Sequence, residues 1–174
     1  MRNIIALSSL VLTLGIVNWG IAEKENHLLE GRIVYLALAP VDPRSIMQGD
    51  YMALNFRLAR EVYDSLPKAT GEGRSRHDAA ASDGYVVVTL DEQKIGSFKA
   101  IYADQALFQN EILMRYRVRN GTVKFATNAF FFQEGHGKYY QSARFGQFRV
   151  NEKGELLLTA MCDQNLTKLE PMDE

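Results

Sequence analysis

The sequence predicts a mainly β domain of about eight antiparallel strands, folded as a sandwich or partly open barrel with one short helix, behind an N-terminal transmembrane helix. Three observations lead there. The dominant hydrophobic period beyond residue 30 is two; Asn120-Gly121 joins two runs whose apolar residues face each other in register; and residues 4–22 carry no charge.

The N-terminal segment comes first. Arg2 precedes an uncharged stretch of 19 residues, 4–22, and Glu23-Lys24-Glu25 follows it. As a helix rising about 1.5 Å per residue, that stretch spans roughly 28 Å, close to the hydrocarbon thickness of a bilayer. The positive-inside bias places the N-terminus in the cytoplasm and everything after Ala22 outside. The chain then divides into an anchor or uncleaved signal, 1–22, and one extracytoplasmic domain, 23–174. The expected location is the cytoplasmic (inner) membrane, single-pass, with the body in the periplasm or extracellular space. The alternative is a cleaved signal peptide, because Gly20-Ile21-Ala22 offers small residues at the right distance from the apolar run. Both readings export the body.

The exported part is long enough for one domain with its own core. Setting Arg2 aside leaves 19 basic against 21 acidic residues, a formal −2, which offers no footprint for nucleic acid. Cys162 is the only cysteine, so no intramolecular disulfide forms, and a buried, unreactive thiol is expected.

Along the domain, GRIVYLALA (31–39) is apolar on both parities, as a strand covered on both faces would be. Pro40-Val41-Asp42-Pro43-Arg44 forbids continued pairing and forces a bend. From 51 to 60 the chain alternates, with Met52, Leu54, Phe56 and Leu58 on one face, and reads as a strand. Residues 65–83, with Pro67, Gly71 and Gly73, read as a mobile loop. Hairpins are expected over 85–90 with 95–102, 111–119 with 122–127, and 145–150 with 156–161. In the second of these, Arg119 faces Thr122, Val118 faces Val123, Arg117 faces Lys124 and Tyr116 faces Phe125. Residues 138–143 read as a short helix.

Gly49-Asp50-Tyr51-Met52-Ala53-Leu54-Asn55-Phe56 resembles the signature of the bacterial GDYXXLXY proteins, with Phe56 where the signature has Tyr. Pro40-Val41-Asp42-Pro43-Arg44-Ser45 and FFFQEGHGKYYQSARFGQFRV (130–150) are similar to that family too. The resemblance implies a membrane-anchored, extracytoplasmic protein of uncharacterised function, often encoded beside a multi-pass membrane protein.

The residues themselves support structural roles first. Asp42 and Asp50 suit Asx turns, Gly49 permits a positive φ, and Arg44 is placed to pair with either carboxylate. Asp42, Arg44, Asp50 and Tyr51 together are the alternative: a corner binding a small polar envelope ligand. In the second motif, Glu134 and His136 flank a glycine; the expected arrangement is a Glu134–Arg144 ion pair clamping the helical turn. No cofactor is implied. No metal is expected either, since His27 and His77 lie far from His136 in sequence. Phe130, Phe131, Phe132, Tyr139 and Tyr140 read as core and interface. A signal-peptidase-like serine hydrolase using Ser45, with Lys94 or Lys99 as base, is the enzyme alternative; the residues after Ser45 do not fit it. With no convincing catalytic set, the leading expectation is an accessory or interaction module, held to the bilayer through 4–22 and docked on a multi-pass membrane protein.

Overall fold

The Asn120-Gly121 turn forms as its residue types require. In the computed structural model, which describes residues 2–39, 47–48, 51–67, 81–127 and 129–171 (the side chains of 2–6 and 47–48 excepted), Asn120 and Gly121 have φ of 51° and 67°. Two successive positive values match a type I′ hairpin turn. The ladder behind it pairs Arg119 with Thr122, Val118 with Val123 and Arg117 with Lys124, the expected register.

In chain order the described elements are α1 (Arg2–Glu30), β1 (Arg32–Ala37), β2 (Met47–Gln48), β3 (Tyr51–Ala53), α2 (Arg57–Ser65), β4 (Ser82–Leu90), β5 (Gly96–Ile101), β6 (Glu111–Arg119), β7 (Thr122–Lys124), β8 (Ala129–Phe131), a 3-10 turn (His136–Tyr140), β9 (Phe145–Val150) and β10 (Leu156–Cys162). They form three antiparallel sheets ordered β1-β9-β10, β2-β3-β8 and β5-β4-β6-β7. The expected hairpins β4–β5 and β9–β10 are present, each with one register shift, between Val87 and Val88 and between Leu158 and Ala160. Such bulges add twist, and the sheets curl into a half-barrel. Several backbone links join the sheets, two of them between the β1-β9-β10 and β5-β4-β6-β7 sides. Tyr35 N–H donates to the Lys94 carbonyl at 3.0 Å, and Arg115 N–H donates to the Gly154 carbonyl at 2.8 Å. The core between them holds Val34, Leu36, Val86, Val88, Met114, Val118, Phe148 and Met161, all fully buried. Burying each such side chain stabilises the fold by about 1.5–3 kcal/mol.

Three expectations are corrected. The alternating stretch 51–60 is not one strand: β3 stops at Ala53 and α2 begins at Arg57. The positions read as one strand face, Met52, Leu54, Phe56 and Leu58, are all buried, but Leu58 and Val62 share a helix face at i, i+4. The short helix of 138–143 is a 3-10 turn starting two residues earlier, at His136. Strands β2 and β8, two and three residues long, were not foreseen because so few residues display no period. The loop expected over 65–83 lies mostly outside the described residues; its first residue ends α2 and its last two open β4.

α1 is a continuous helix of 29 residues, running through the Gly20-Ile21-Ala22 step without a break. Between Leu7 and Ile21 its large apolar side chains are all exposed, Leu12 at 66% and Trp19 at 78%. The expected transmembrane helix is corrected: among the described residues, no helix is long and apolar enough to cross a membrane. Ser8, Ser9, Thr13 and Asn18 dilute the described apolar run, and residues 23–30 are largely charged or polar.

At its far end α1 is fixed to the domain. His27 is buried and its Nε2–H donates to the Arg149 carbonyl at 2.9 Å, while Arg149 Nη1 donates to the Gly31 carbonyl at 2.9 Å. Gly31 accepts the tight corner because a Cβ there would lie 2.5 Å from the His27 carbonyl oxygen. Lys153 reaches Glu23 at 3.4 Å, so the β9–β10 turn lies along the helix's last two turns.

Candidate functional site

Strand β3 carries Tyr51, Met52 and Ala53 of the first motif, and β8 carries the start of the second. The two strands pair, Tyr51 with Phe131, Met52 with Phe130 and Ala53 with Ala129. Segments nearly eighty residues apart in sequence thus form one small sheet. Alternation then sorts their side chains. Met52 is buried, and Phe130 meets Tyr140 edge-on with ring centroids 4.9 Å apart. Phe132 stacks on the other side of Tyr140 at 5.3 Å. Phe56, the position that departs from the signature, packs edge-on against Phe148 of the second motif at 5.3 Å, so its ring serves as core.

Phe131 is the exception. It points outward, 75% exposed, with its ring 5.8 Å from that of Tyr51. The sequence reading grouped Phe130, Phe131 and Phe132 together. Period two in a strand requires the middle of three successive aromatics to face away from its neighbours, and that signal was available in the sequence. Among the described residues, what the two motifs bring together is this Tyr51–Phe131 aromatic pair across β3 and β8.

The remaining described residues of the second motif do not converge on one point. Glu134 lies exposed in the turn before the 3-10 segment. His136 is half-buried with its ring perpendicular to that of Tyr139 at 5.6 Å, and Lys138 Nζ lies 5.1 Å from the same ring. The expected Glu134–Arg144 clamp is corrected: no ion pair joins them, and Arg144 Nη1 donates instead to the carbonyl of its neighbour Ala143 at 2.8 Å. The backbone explains this placement. Arg144 N–H donates to the Cys162 carbonyl and its own carbonyl accepts from Leu38 N–H, both at 2.8 Å, which fixes the residue between the ends of β1 and β10. Asp42, Arg44, Ser45, Gly49 and Asp50 lie outside the described residues, so of that corner only Tyr51 is placed. Among the described residues, no group of three His, Cys, Asp or Glu side chains is arranged to hold a metal ion.

Besides the Lys153–Glu23 pair, the ion pairs among the described residues gather on Glu111 and Asp83. Glu111 is buried at the start of β6. The Lys99 ammonium binds its Oε1, Phe108 N–H donates to Oε2 at 3.1 Å, and Arg32 Nη1 donates to its backbone carbonyl at 3.1 Å. The Lys99 hydrogen bond, opposed by desolvation and aided by Phe108 N–H, holds the Glu111 carboxyl below its ordinary range. Lys99 is thereby committed to an ion pair and is a poor candidate for a free base. Asp83 pairs with Arg119 at 2.8 Å and Arg115 at 3.3 Å; partial desolvation works against ionisation, but these two arginines outweigh it and lower the pKa. Cys162 is fully buried, and burial raises its thiol pKa, the environment of an inert cysteine.

These features define a class: a β-rich half-barrel preceded by a long helix with exposed apolar side chains, in which parts of the two motifs pair in one small sheet. The chain belongs to the GDYXXLXY protein family, whose model matches residues 13–161. No curated protein and no solved structure matches it.

Proposed function

We propose that this protein is an extracytoplasmic accessory module, held at the cytoplasmic membrane by α1, that docks on an integral membrane protein through the Tyr51–Phe131 edge. The observation that carries the reading is the exposure of every large apolar side chain of α1 between Leu7 and Ile21. A helix apolar on all sides belongs inside a protein core or a bilayer, and this one makes no core of its own. The uncharged run begins at Ile4, ahead of the first described side chain, so the described part alone is shorter than the 19-residue run in the sequence. Thr13 Oγ1 donates to the Ser9 carbonyl at 2.8 Å, which satisfies its hydroxyl without water.

The stiff junction at His27 and Gly31 gives the anchor a second use. Residues 23–30 continue the helix for roughly 12 Å beyond Ala22, so the domain is held at a fixed height and tilt rather than on a loose tether. Continuity of α1 through 20–22 favours retention of the segment over cleavage, and the mass of the mature chain tests that directly.

The docking reading is tested by affinity purification of the full chain from gently solubilised membranes. One membrane protein recovered in stoichiometric amount with wild type, and lost with Phe131→Ala, is the expected result. Recovery of nothing, together with a soluble polar ligand that raises the domain's melting temperature, would replace it with a ligand-binding corner at Asp42, Arg44, Asp50 and Tyr51.

A further inference from the structure

The foot of α1 lies between two cavities of opposite charge, and His27 lines both. On one flank, Glu23 and Glu30 share a space of about 580 Å³ with Glu111 and Glu152, and Arg32 and Lys153 are its cations. On the other, Lys24 shares a space of about 240 Å³ with Arg115 and Arg117, and Glu155 is its one carboxylate among the described residues.

The basic cavity is built from exposed side chains. Arg115 and Arg117 alternate with buried Met114, Tyr116 and Val118 along β6, so both stand on the outer face of the sheet, and Lys24 is exposed on α1. Each guanidinium is oriented by a further contact: Arg115 Nη2 donates to Asp83 Oδ2 and Arg117 Nη2 to the Ala126 carbonyl, both at 3.3 Å. Glu155 is turned toward the β9–β10 turn, where its carboxylate accepts from Asn151 Nδ2 at 3.0 Å.

The position of the cavity along α1 points to its occupant. Lys24 comes two residues after the uncharged run, about 3 Å further along the helix, which is the level of the headgroups when that run lies in hydrocarbon. Ile21 and Val17 precede Lys24 by three and seven residues, so the three share one face of α1, and both apolar side chains are exposed. An apolar strip thus leads into a cationic cavity. A soluble anion would leave the strip unused, and a zwitterionic headgroup would bring an ammonium beside two guanidinium groups. A lipid with an anionic head and aliphatic tails meets both parts.

We propose that this cavity binds the phosphate headgroup of an anionic glycerophospholipid, whose acyl chains lie along Val17 and Ile21. The proposal rests on the reading of α1 as the element that holds the domain at the membrane.

The test uses the full chain in phosphatidylcholine nanodiscs holding a minor share of phosphatidylglycerol that carries a diazirine close to the head of one acyl chain. After irradiation, adducts are mapped by peptide mass spectrometry. Adducts on residues 17–24 together with 115–117 and 155–157 are expected. Those on 115–117 and 155–157 should fall roughly twentyfold when Lys24→Gln and Arg117→Gln are combined, since each cation at an anionic lipid surface contributes roughly fivefold. Lys153→Gln removes a cation of the opposite flank at the level of Glu23 and should leave them unchanged. The matching phosphatidylcholine probe should label α1 alone. Each variant's thermal unfolding is recorded, and if the double variant does not fold, Arg117→Gln decides by itself. With α1 labelled, four results would overturn the proposal and leave the anchor standing: no adducts at 115–117 and 155–157, equal labelling there by the phosphatidylcholine probe, an equal loss with Lys153→Gln, or suppression by inorganic phosphate as strong as by unlabelled phosphatidylglycerol. A chain that does not enter the discs, with α1 unlabelled, would overturn both.

Discussion

Leucine, isoleucine and valine meet opposite surroundings in two parts of this chain. Between Leu7 and Ile21 of α1 they are between 50% and 66% exposed, whereas Val34, Leu36, Val86 and Val88 in the half-barrel are fully buried. Arrangement separates the two regions, since the residue types are the same. Along β6, buried Ile112, Met114, Tyr116 and Val118 alternate with exposed Arg115, Arg117 and Arg119, so one face can be removed from water by another sheet. Around α1 the apolar side chains fall on every side, and no single neighbouring element could cover them. The domain excludes water by itself, whereas α1 leaves its large apolar side chains between Leu7 and Ile21 exposed.

That contrast is sharpest at Phe148. Phe148→Ala should destabilise the domain by about 3–5 kcal/mol, because the ring is fully buried against Phe56, while Leu12→Ala should leave thermal unfolding within about 0.5 kcal/mol of wild type. Equal losses would place α1 inside the domain's cooperative unit. At the junction of the two regions, Gly31→Ala should cost about 1–3 kcal/mol, since its Cβ would meet the His27 carbonyl oxygen at 2.5 Å. Loss of hydrogen-exchange protection at residues 27–32 ahead of the strands would locate the effect.

Acid should loosen the domain in a predictable sense. Glu111 has its folded pKa lowered from the ordinary 4.5, so its contribution is fully present above that value and disappears as pH falls toward the depressed one. Denaturant melts between pH 3 and 6 should therefore show a smaller pH dependence in Glu111→Gln than in wild type; unchanged slopes would contradict the ion pair. Phe131→Ala, like Leu12→Ala, should stay within about 0.5 kcal/mol of wild type because the ring is already in solvent.

Much of this was legible in the sequence where pattern and turn chemistry agreed. Asn120-Gly121 fixed a hairpin register to the residue, and the other two hairpins needed only alternation and a polar turn. The error at 51–60 has a physical cause: buried residues at 52, 54, 56 and 58 fit a strand, and only Val62 reveals the change to a helical period. The pairing of β3 with β8 was not readable, because three-residue strands far apart in sequence carry no periodic signal, so neither was the outward turn of Phe131 against Tyr51.

The most direct test of the account is flotation of the full chain with phosphatidylcholine vesicles, compared with a variant carrying Leu12→Asp and Ile16→Asp. A charged residue at the centre of a membrane helix costs about 2.5–3.5 kcal/mol, so two should suffice to release the chain. Wild type floating with the vesicles after alkaline extraction, and the variant remaining in the aqueous fraction with an unchanged melting transition, is the predicted result. Folded wild type left in the aqueous fraction would contradict the account.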